Sequence, residues 1–310
     1  MLLSLLKLRT LDLEAPSGAD RPLHLSAASG LVRAGAFLYV VADDELHLGV
    51  FRTGSSAPGR LIRLFAGELP RPPAERKAKK PDLEALTVLP ASTDCQHGAL
   101  LAVASGSKPR RRRGVLLALD ELGEVSGSAR ECDFSGIFSA LQDRFPSLNI
   151  EGAFVSGDQL YLLQRANQRH RQNAILRYPL KALLDAIRSG TALAPASINS
   201  IELGSIGGVA LGLTDGAALP DGRFVFCAVA EDTADAYHDG RCAGAVLGIA
   251  SRDGRVHSLY PLEYPHKIEG LDAIEEAGAV RLLLVTDADD ASTAACLYSA
   301  EIPLAEKSAW

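Results

Sequence analysis

The sequence predicts an all-β fold: a five-bladed β-propeller with four-stranded blades, its N-terminal strand completing the last blade. Two observations carry this. A short motif joining one oxygen-bearing side chain to a small residue and an apolar run occurs five times, as SAASGLV (Ser29), DLEALTV (Glu84), NIEGAFV (Glu151), LTDGAAL (Asp215) and KIEGLDAI (Glu269). The steps between these residues are 55, 67, 64 and 54. Each motif is followed, after a turn, by strongly β-forming segments, and a degenerate repeat of this length with several strands per unit marks a propeller. Five units account for nearly all 310 residues, so the chain reads as one domain, 1–310. Six blades would require splitting one of the two longer units.

Taken in order, residues 5–13 alternate imperfectly around Lys7 and Arg9, as a strand that closes the ring and removes its free edges. Unit 1 starts at Ser29 and supplies strands over 36–44, 46–51 and 60–67. PRPPAERKAKKP, 70–81, is proline-rich and basic and reads as an exposed connector. Unit 2 has strands over 82–90, 98–107 and 114–119, a weakly marked fourth near 130–134, and a helix over 135–147. Unit 3 has strands over 149–157, 158–165 and 173–180, then a helix from Leu180 to Ser189 with Gly190 as its C-terminal cap, then a strand at 198–204. Unit 4 runs through 213–222, 223–232, 243–249 and 255–262, with Pro220-Asp221-Gly222 as a turn. Unit 5 has 267–276, 280–288 and 295–302 and borrows the N-terminal strand as its fourth.

Composition excludes several functions. A net charge of −6 argues against nucleic acid as a partner, which needs a broad basic field. Five scattered cysteines without CxxC spacing read as reduced thiols rather than a disulfide or zinc framework. The opening apolar run is short for a signal peptide, and no run approaches the roughly 18 residues of a membrane span. The expected address is cytoplasmic. There is no G-x-S-x-G elbow, P-loop or H-E-x-x-H.

The innermost strand of each blade lines the channel of a propeller, so Ser29, Glu84, Glu151, Asp215 and Glu269 are expected to ring the axis. Four acids there repel one another, and burial strengthens the repulsion. Oxygen-only ligands without paired His or Cys suit a hard cation, Ca2+ ahead of Mg2+ or Mn2+. The competing reading is an empty wet channel, in which the small residues serve packing and the acids meet water.

The five motifs resemble, in order and spacing, those of the calcium-activated nucleotidases, the soluble apyrase family, whose fold is a five-bladed propeller around one calcium. SGLVRAGAFLYVVADDE resembles the first-blade stretch of that family, with its ligand serine and Asp-Asp pair. LEAL, IEGAFVSGDQLYLLQRANQ, TDGAALPDGRFVFCAVAED and KIEGL resemble the next four, with Asp215 where the family has serine. The chain departs where Glu45-Leu46 follows Asp43-Asp44 in place of Arg-Thr-Gly, and where SGSKPRRRRG replaces a loop rich in Trp and Thr. The resemblance therefore implies a retained calcium site and an altered nucleotide site. Phytase-like and esterase-like propellers share the Glu-Gly-Leu style of motif.

Because strands alternate in direction, the loops between second and third strands share the mouth that holds the ring. Those of units 2 and 3 are basic and offer Lys108, Arg110, Arg113, Arg165 and Arg169 as clamps for a small anionic substrate. Those of units 1, 4 and 5 are acidic, with Asp44 as the candidate base and Asp287 as the second choice. The expected function is metal-dependent hydrolysis of a phosphoanhydride or phosphoester. The alternatives are an esterase or lactonase, and a non-catalytic binding propeller with a structural calcium.

Overall fold

The computed structural model describes residues 2–167, 170–232 and 240–304, and its strands form five antiparallel sheets, one per sequence unit. Strand β1 (Leu6–Thr10) stands apart at the N-terminus. Blade 1 holds β2 (Ala28–Ala34), β3 (Phe37–Ala42), β4 (His47–Arg52) and β5 (Arg60–Arg63). Helix α1 (Pro73–Lys79) leads to blade 2, with β6 (Leu83–Leu89), β7 (Ala99–Ala104), β8 (Arg113–Leu119) and β9 (Val125–Asp133). After α2 (Ser135–Ser139), blade 3 has β10 (Ile150–Ser156), β11 (Gln159–Gln164), β12 (Asn173–Pro179), α3 (Leu180–Ser189) and β13 (Ser197–Ile201). Blade 4 adds a two-residue strand, β14 (Ser205–Ile206), to β15 (Val209–Ala218), β16 (Arg223–Asp232), β17 (Arg241–Ser251) and β18 (Val256–Pro261). Blade 5 contains β19 (Ile268–Glu276), β20 (Ala279–Thr286) and β21 (Cys296–Pro303), and β1 pairs with β21 as its outer strand. The protein is a five-bladed propeller closed by its N-terminal strand.

The core is divided radially. Apolar side chains fill each of the five spaces between adjacent blades, and the second strands FLYVVA and ALLAVA are buried along their whole length. The inner strands β2, β6, β10, β15 and β19 pack each on the next around the axis. Their polar side chains therefore have only one another and the channel to face.

Each inner strand carries one bulge at the same place, where the register with its partner skips a residue. The skipped residues are Ser29, Glu84, Glu151, Thr214 and Glu269. In blade 4 the shift falls between Leu213 and Asp215, so the residue equivalent to the other four is Thr214, and the sequence alignment on Asp215 is corrected by one. The misalignment arose because Asp215-Gly216 mimics the acid-small pairs of the other motifs. The residue after each bulge is Gly30, Ala85, Gly152, Asp215 or Gly270, and it lies where neighbouring inner strands come close. A Cβ on Gly152 would lie 2.8 Å from the Asp215 Cα, and one on Gly270 2.8 Å from the Leu31 nitrogen.

Asp215 breaks that small-residue rule by acting as a strut. Its Oδ1 accepts from the Gly216 amide and its Oδ2 from the Leu271 amide of blade 5, each at 2.8 Å, and the Ala153 amide of blade 3 also donates to it. Burial pushes its carboxyl well above the usual range in spite of these three donors. One side chain thus ties three blades together.

Other departures from the sequence reading have local causes. The helix expected over 135–147 is helical only at Ser135–Ser139, although Ile137, Leu141 and Phe145 are buried as its spacing implied. The fourth strand of blade 2 is nine residues long and mostly exposed, which is why its apolar pattern was faint. Helix α3 ends at Gly190 with φ +68°, as expected of a glycine cap. The connector at 70–81 is not wholly exposed, since Lys80 is 8% accessible. None of the five cysteines forms a disulfide, and among the described residues no helix is long and apolar enough to cross a membrane.

Replacing Asp215 by Ala leaves buried amides from three inner strands without an acceptor, so Asp215→Ala should destabilise the fold by about 3 kcal/mol. Urea unfolding measures it, and a loss under about 1 kcal/mol would remove the strut from the account.

Candidate functional site

The site grows out of the strand pattern. Residues two apart on a strand share a face, so the residue two before each bulge also points to the axis: Ala27, Asp82, Asn149, Gly212 and Lys267. Opposite these stand the first residues beyond the second strands, fixed by amide bonds from Asp43 to the Ala27 carbonyl (3.1 Å), Ser105 to Asp82 (2.9 Å), Arg165 to Asn149 (2.9 Å) and Asp287 to Lys267 (3.0 Å). In blade 4 the β15–β16 pairing runs further, which carries Glu231 over the same mouth. A polar layer therefore lies directly above the five-residue ring.

Two charge clusters meet there. In the first, Lys80 bridges Asp43 and Asp82, its Nζ lying 3.1 Å from Asp82 Oδ1, and the buried Arg111 holds Asp82 Oδ2 at 2.7 Å. Glu84 is just beneath, and oxygens of Asp43, Asp82 and Glu84 lie within 4.8 Å of one another. In the second, Arg165 reaches Glu151 at 3.0 Å, Glu231 at 2.6 Å and Glu269 at 3.6 Å. Lys267 lies 3.7 Å from each of Glu231, Glu269 and Asp287, and 2.5 Å from Asp289. Gly212 makes room for this: a Cβ there would fall 2.8 Å from the Arg165 Cγ.

The electrostatics follow from burial. Among the described residues, eight carboxylates (Asp43, Asp82, Glu84, Glu151, Glu231, Glu269, Asp287, Asp289) face four cations (Lys80, Arg111, Arg165, Lys267). Burial, then Asp82, Glu151 and Asp43, push Glu84 well above the carboxylate range. Burial raises Glu269 to about 8 even though Arg165 and Lys267 oppose it, and it also raises Glu151, Asp43 and Asp287. For Lys80, Lys267 and Arg165 the surrounding carboxylates outweigh burial and raise the pKa. Among the described residues Glu269 Oε1, on a residue 5% exposed, accepts no hydrogen bond, although Arg165 at 3.6 Å and Lys267 at 3.7 Å lie within ion-pair distance of it. Among the described residues the mouth is thus short of positive charge, and it can take up a proton or a cation.

Glu84, Glu151 and Glu269 converge on the axis, with Ser29 in register and its hydroxyl donating to the Ala27 carbonyl. Thr214 replaces Asp215 in the ring, its hydroxyl donating to the Ile268 carbonyl at 2.7 Å. Asp287 lies at the mouth beside Lys267. Asp44 does not. It turns away to Arg21 (2.9 Å) and Arg76 (3.1 Å), and its neighbour Asp43 faces the axis instead. Arg165 is at the mouth but is engaged by three carboxylates, which makes it a brace rather than an open clamp. Arg113 lies over the Phe65 ring at 4.7 Å and 3.4 Å from Glu131, away from the axis. Arg110 lines a 260 Å³ groove with Arg113, Lys79 and Lys80. Lys108 precedes a short turn at Pro109–Arg111, and burial, Arg111 and Arg110 hold its ammonium below the usual value. Arg169 lies outside the described residues.

Sequence reasoning missed Lys80, Asp82, Asn149, Thr214 and Lys267. For four of these a signal existed: Asp82, Asn149 and Lys267 each stand two residues before a ring glutamate, and Lys80 two before Asp82. A cleft of 1140 Å³ beside the mouth, lined by Arg21, Arg63, Arg71, Arg76, His47 and Glu45, was also unforeseen. Its segments come from four distant parts of the chain.

Glu45, 3% exposed in that cleft, is opposed by burial but held by His47, Arg21, Ser17 and Arg76, which lower its pKa from 4.5 to about 2. A folded-state pKa below the unfolded one contributes stability above pH 4.5 that is lost as pH falls through about 2. The loss should be about 3 kcal/mol. Urea unfolding between pH 5 and 2 should show this limb in the natural protein and a flatter one in Glu45→Gln; parallel curves would contradict it.

No curated protein matches the chain in sequence. Among solved structures, a glycosyl hydrolase from Bacteroides ovatus aligns at TM-score 0.49 and 9% identity, over 97% of this chain and 93% of that one. A β-fructofuranosidase from Bombyx mori aligns at 0.49 and 12% over 89% and 60%, and a luciferin-regenerating enzyme at 0.44 and 7% over 92% and 93%. Alignments this distant carry no functional argument, and the fold rests on the sheet topology above. A family model does match across 24–302, so the chain belongs to the family of unknown function DUF6929.

Proposed function

We propose that the mouth is a hydrolytic site that holds one hard divalent cation, Ca2+ ahead of Mg2+ or Mn2+, and acts on a small phosphoanhydride or phosphoester. One observation carries this reading: Ser29, Glu84, Glu151, Thr214 and Glu269 occupy the same bulge in five blades, and each carries oxygen as its only side-chain ligand atom. With Thr214 in the fourth position the order is Ser, Glu, Glu, hydroxyl, Glu, which agrees with the calcium-activated nucleotidases better than Asp215 did. The unbonded Oε1 of Glu269 and the excess of carboxylate among the described residues fit an all-oxygen site for a hard cation.

A cation bound there would polarise a phosphoryl oxygen and acidify a water. The chain's own groups have separate tasks. Asp287, its carboxyl raised by burial beside Lys267, is placed to take a proton from water and return it. Arg165 and Lys267 hold Glu151, Glu231 and Glu269 in position. In the arginine-lined cleft Arg21, Arg71 and Arg76 already pair with carboxylates, so Arg63, which has no carboxylate partner among the described residues, receives the anionic end of the substrate in place of Lys108, Arg110 and Arg113.

A second reading is a non-catalytic propeller, and one feature favours it: Lys80, Arg165 and Lys267 already brace the acids without a metal. Phosphate release from nucleotides and phosphoesters, assayed with Ca2+, Mg2+ or Mn2+, separates the two. The hydrolase reading expects metal-stimulated turnover that falls at least about 100-fold in Glu84→Gln and persists in the surface control Lys181→Ala. Thermal stabilisation by Ca2+ without turnover on any phosphate, ester or lactone would overturn hydrolysis and leave the binding propeller.

A further inference from the structure

A second cleft, of 820 Å³, opens between blades 2 and 3, away from the mouth. It is built from the turn after β6, the turn at 157–158, part of β9 and helix α3. Leu89 ends β6 five residues beyond Glu84, about 17 Å along the strand, so the cleft and the acid ring are distinct. Helix α3 forms one wall. Its Leu180, Leu184 and Ile187 recur at i, i+4 and i+7 and make one apolar stripe. Leu183 is fully buried in the core, whereas Leu184 is only partly buried and lines the cleft.

The cleft is aliphatic inside and charged at its edge. Leu89, Leu116, Leu180, Leu184, Ile187 and Cys132 supply its apolar lining. At the exposed edge Arg188 of α3 pairs with Asp94 of the β6–β7 turn at 2.7 Å, and both side chains are more than half exposed. A pair of that kind adds little stability, so it can part to admit a ligand. Most of the remaining charge is already matched. Lys181 pairs with Asp185 at 2.6 Å, Glu131 with Arg113 at 3.4 Å, and the Asp158 carboxylate accepts from the Gln159 amide at 2.9 Å. Arg130 has no ion-pair partner among the described residues. Burial raises the Cys132 thiol while Arg130 and Arg188 oppose it, so both guanidinium groups lie near that sulfur.

We propose that this cleft binds a small amphipathic anion, a straight hydrocarbon chain of about eight to twelve carbons ending in a carboxylate. The chain lies on the aliphatic stripe of α3 and the carboxylate on Arg130. Sugars and nucleotides would leave polar groups unpaired against such a wall, and the uncommitted guanidinium sets the sign of the head group. This inference goes beyond the hydrolytic reading of the mouth and does not depend on it.

Calorimetric titration of the full chain with octanoate, decanoate and dodecanoate tests the proposal. Each added methylene should tighten binding about threefold. Arg130→Gln, on the exposed strand β9, should weaken decanoate about tenfold and leave decanol unchanged, since only the carboxylate needs the guanidinium. Leu184→Gln should weaken both about tenfold. Decanoate at about ten times its Kd should slow iodoacetamide alkylation of Cys132 about tenfold, while Cys296 on β21 keeps its rate. Affinity that ignores chain length, that is unchanged in Leu184→Gln, or that leaves Cys132 unprotected would overturn the cleft as the site. Equal sensitivity of decanol and decanoate to Arg130→Gln would overturn the anionic head group. If none of the acids binds, the whole inference is overturned and the reading of the mouth stands.

Discussion

Carboxylates gathered out of water need positive charge close by, and this need shapes the centre of the propeller. Two like charges 4 Å apart repel by about 4 kcal/mol at an effective dielectric of 20. Three glutamates and the acids above them would not stay ionised there unaided. The chain answers with four cations of its own, from the helix before blade 2, the top loops of blades 2 and 3, and the start of blade 5. Among the described residues they leave the balance negative, and burial first, with the neighbouring carboxylates second, raises Glu84, Glu151, Glu269 and Asp287. Function at this mouth, whether proton transfer or cation binding, draws on the same deficit.

The radial division of the core makes the arrangement possible. Apolar side chains go to the spaces between blades, leaving the axis to polar ones. Small residues after the bulges let inner strands approach, while the bulges themselves turn one extra side chain inward. Asp215 departs from the small-residue pattern and ties blades 3, 4 and 5 by backbone amides. The ring position and the strut thus fall on adjacent residues, 214 and 215.

The fold was legible because its signal is repeated five times, and the spacing of the motifs gave the blades and the N-terminal closure. Ser29, Glu84, Glu151 and Glu269 were legible for the same reason. Thr214 was not, since nothing in LTDGAAL tells a bulged threonine from a bulged aspartate until the register is seen. Asp43 and Asp44 could not be told apart because a loop has no fixed period, and one residue of rotation decided which faced the axis. The counter-cations were hidden for another reason. A basic run looks solvated in sequence, and only the close approach of Asp82, Glu151 and Glu231 shows that Arg111 and Arg165 are consumed by ion pairs. Lys80 combined both difficulties, since it follows a helix that buries nothing of its own and is drawn inward from a basic connector.

The central claim is that five bulged residues share one axial cation. Crystals grown with Mn2+ and measured for its anomalous scattering test it most directly. The account predicts one strong peak on the axis, within about 2.5 Å of oxygens from Glu84, Glu151 and Glu269. An axis with no peak, closed by Arg165 spanning Glu151 and Glu269, would contradict it.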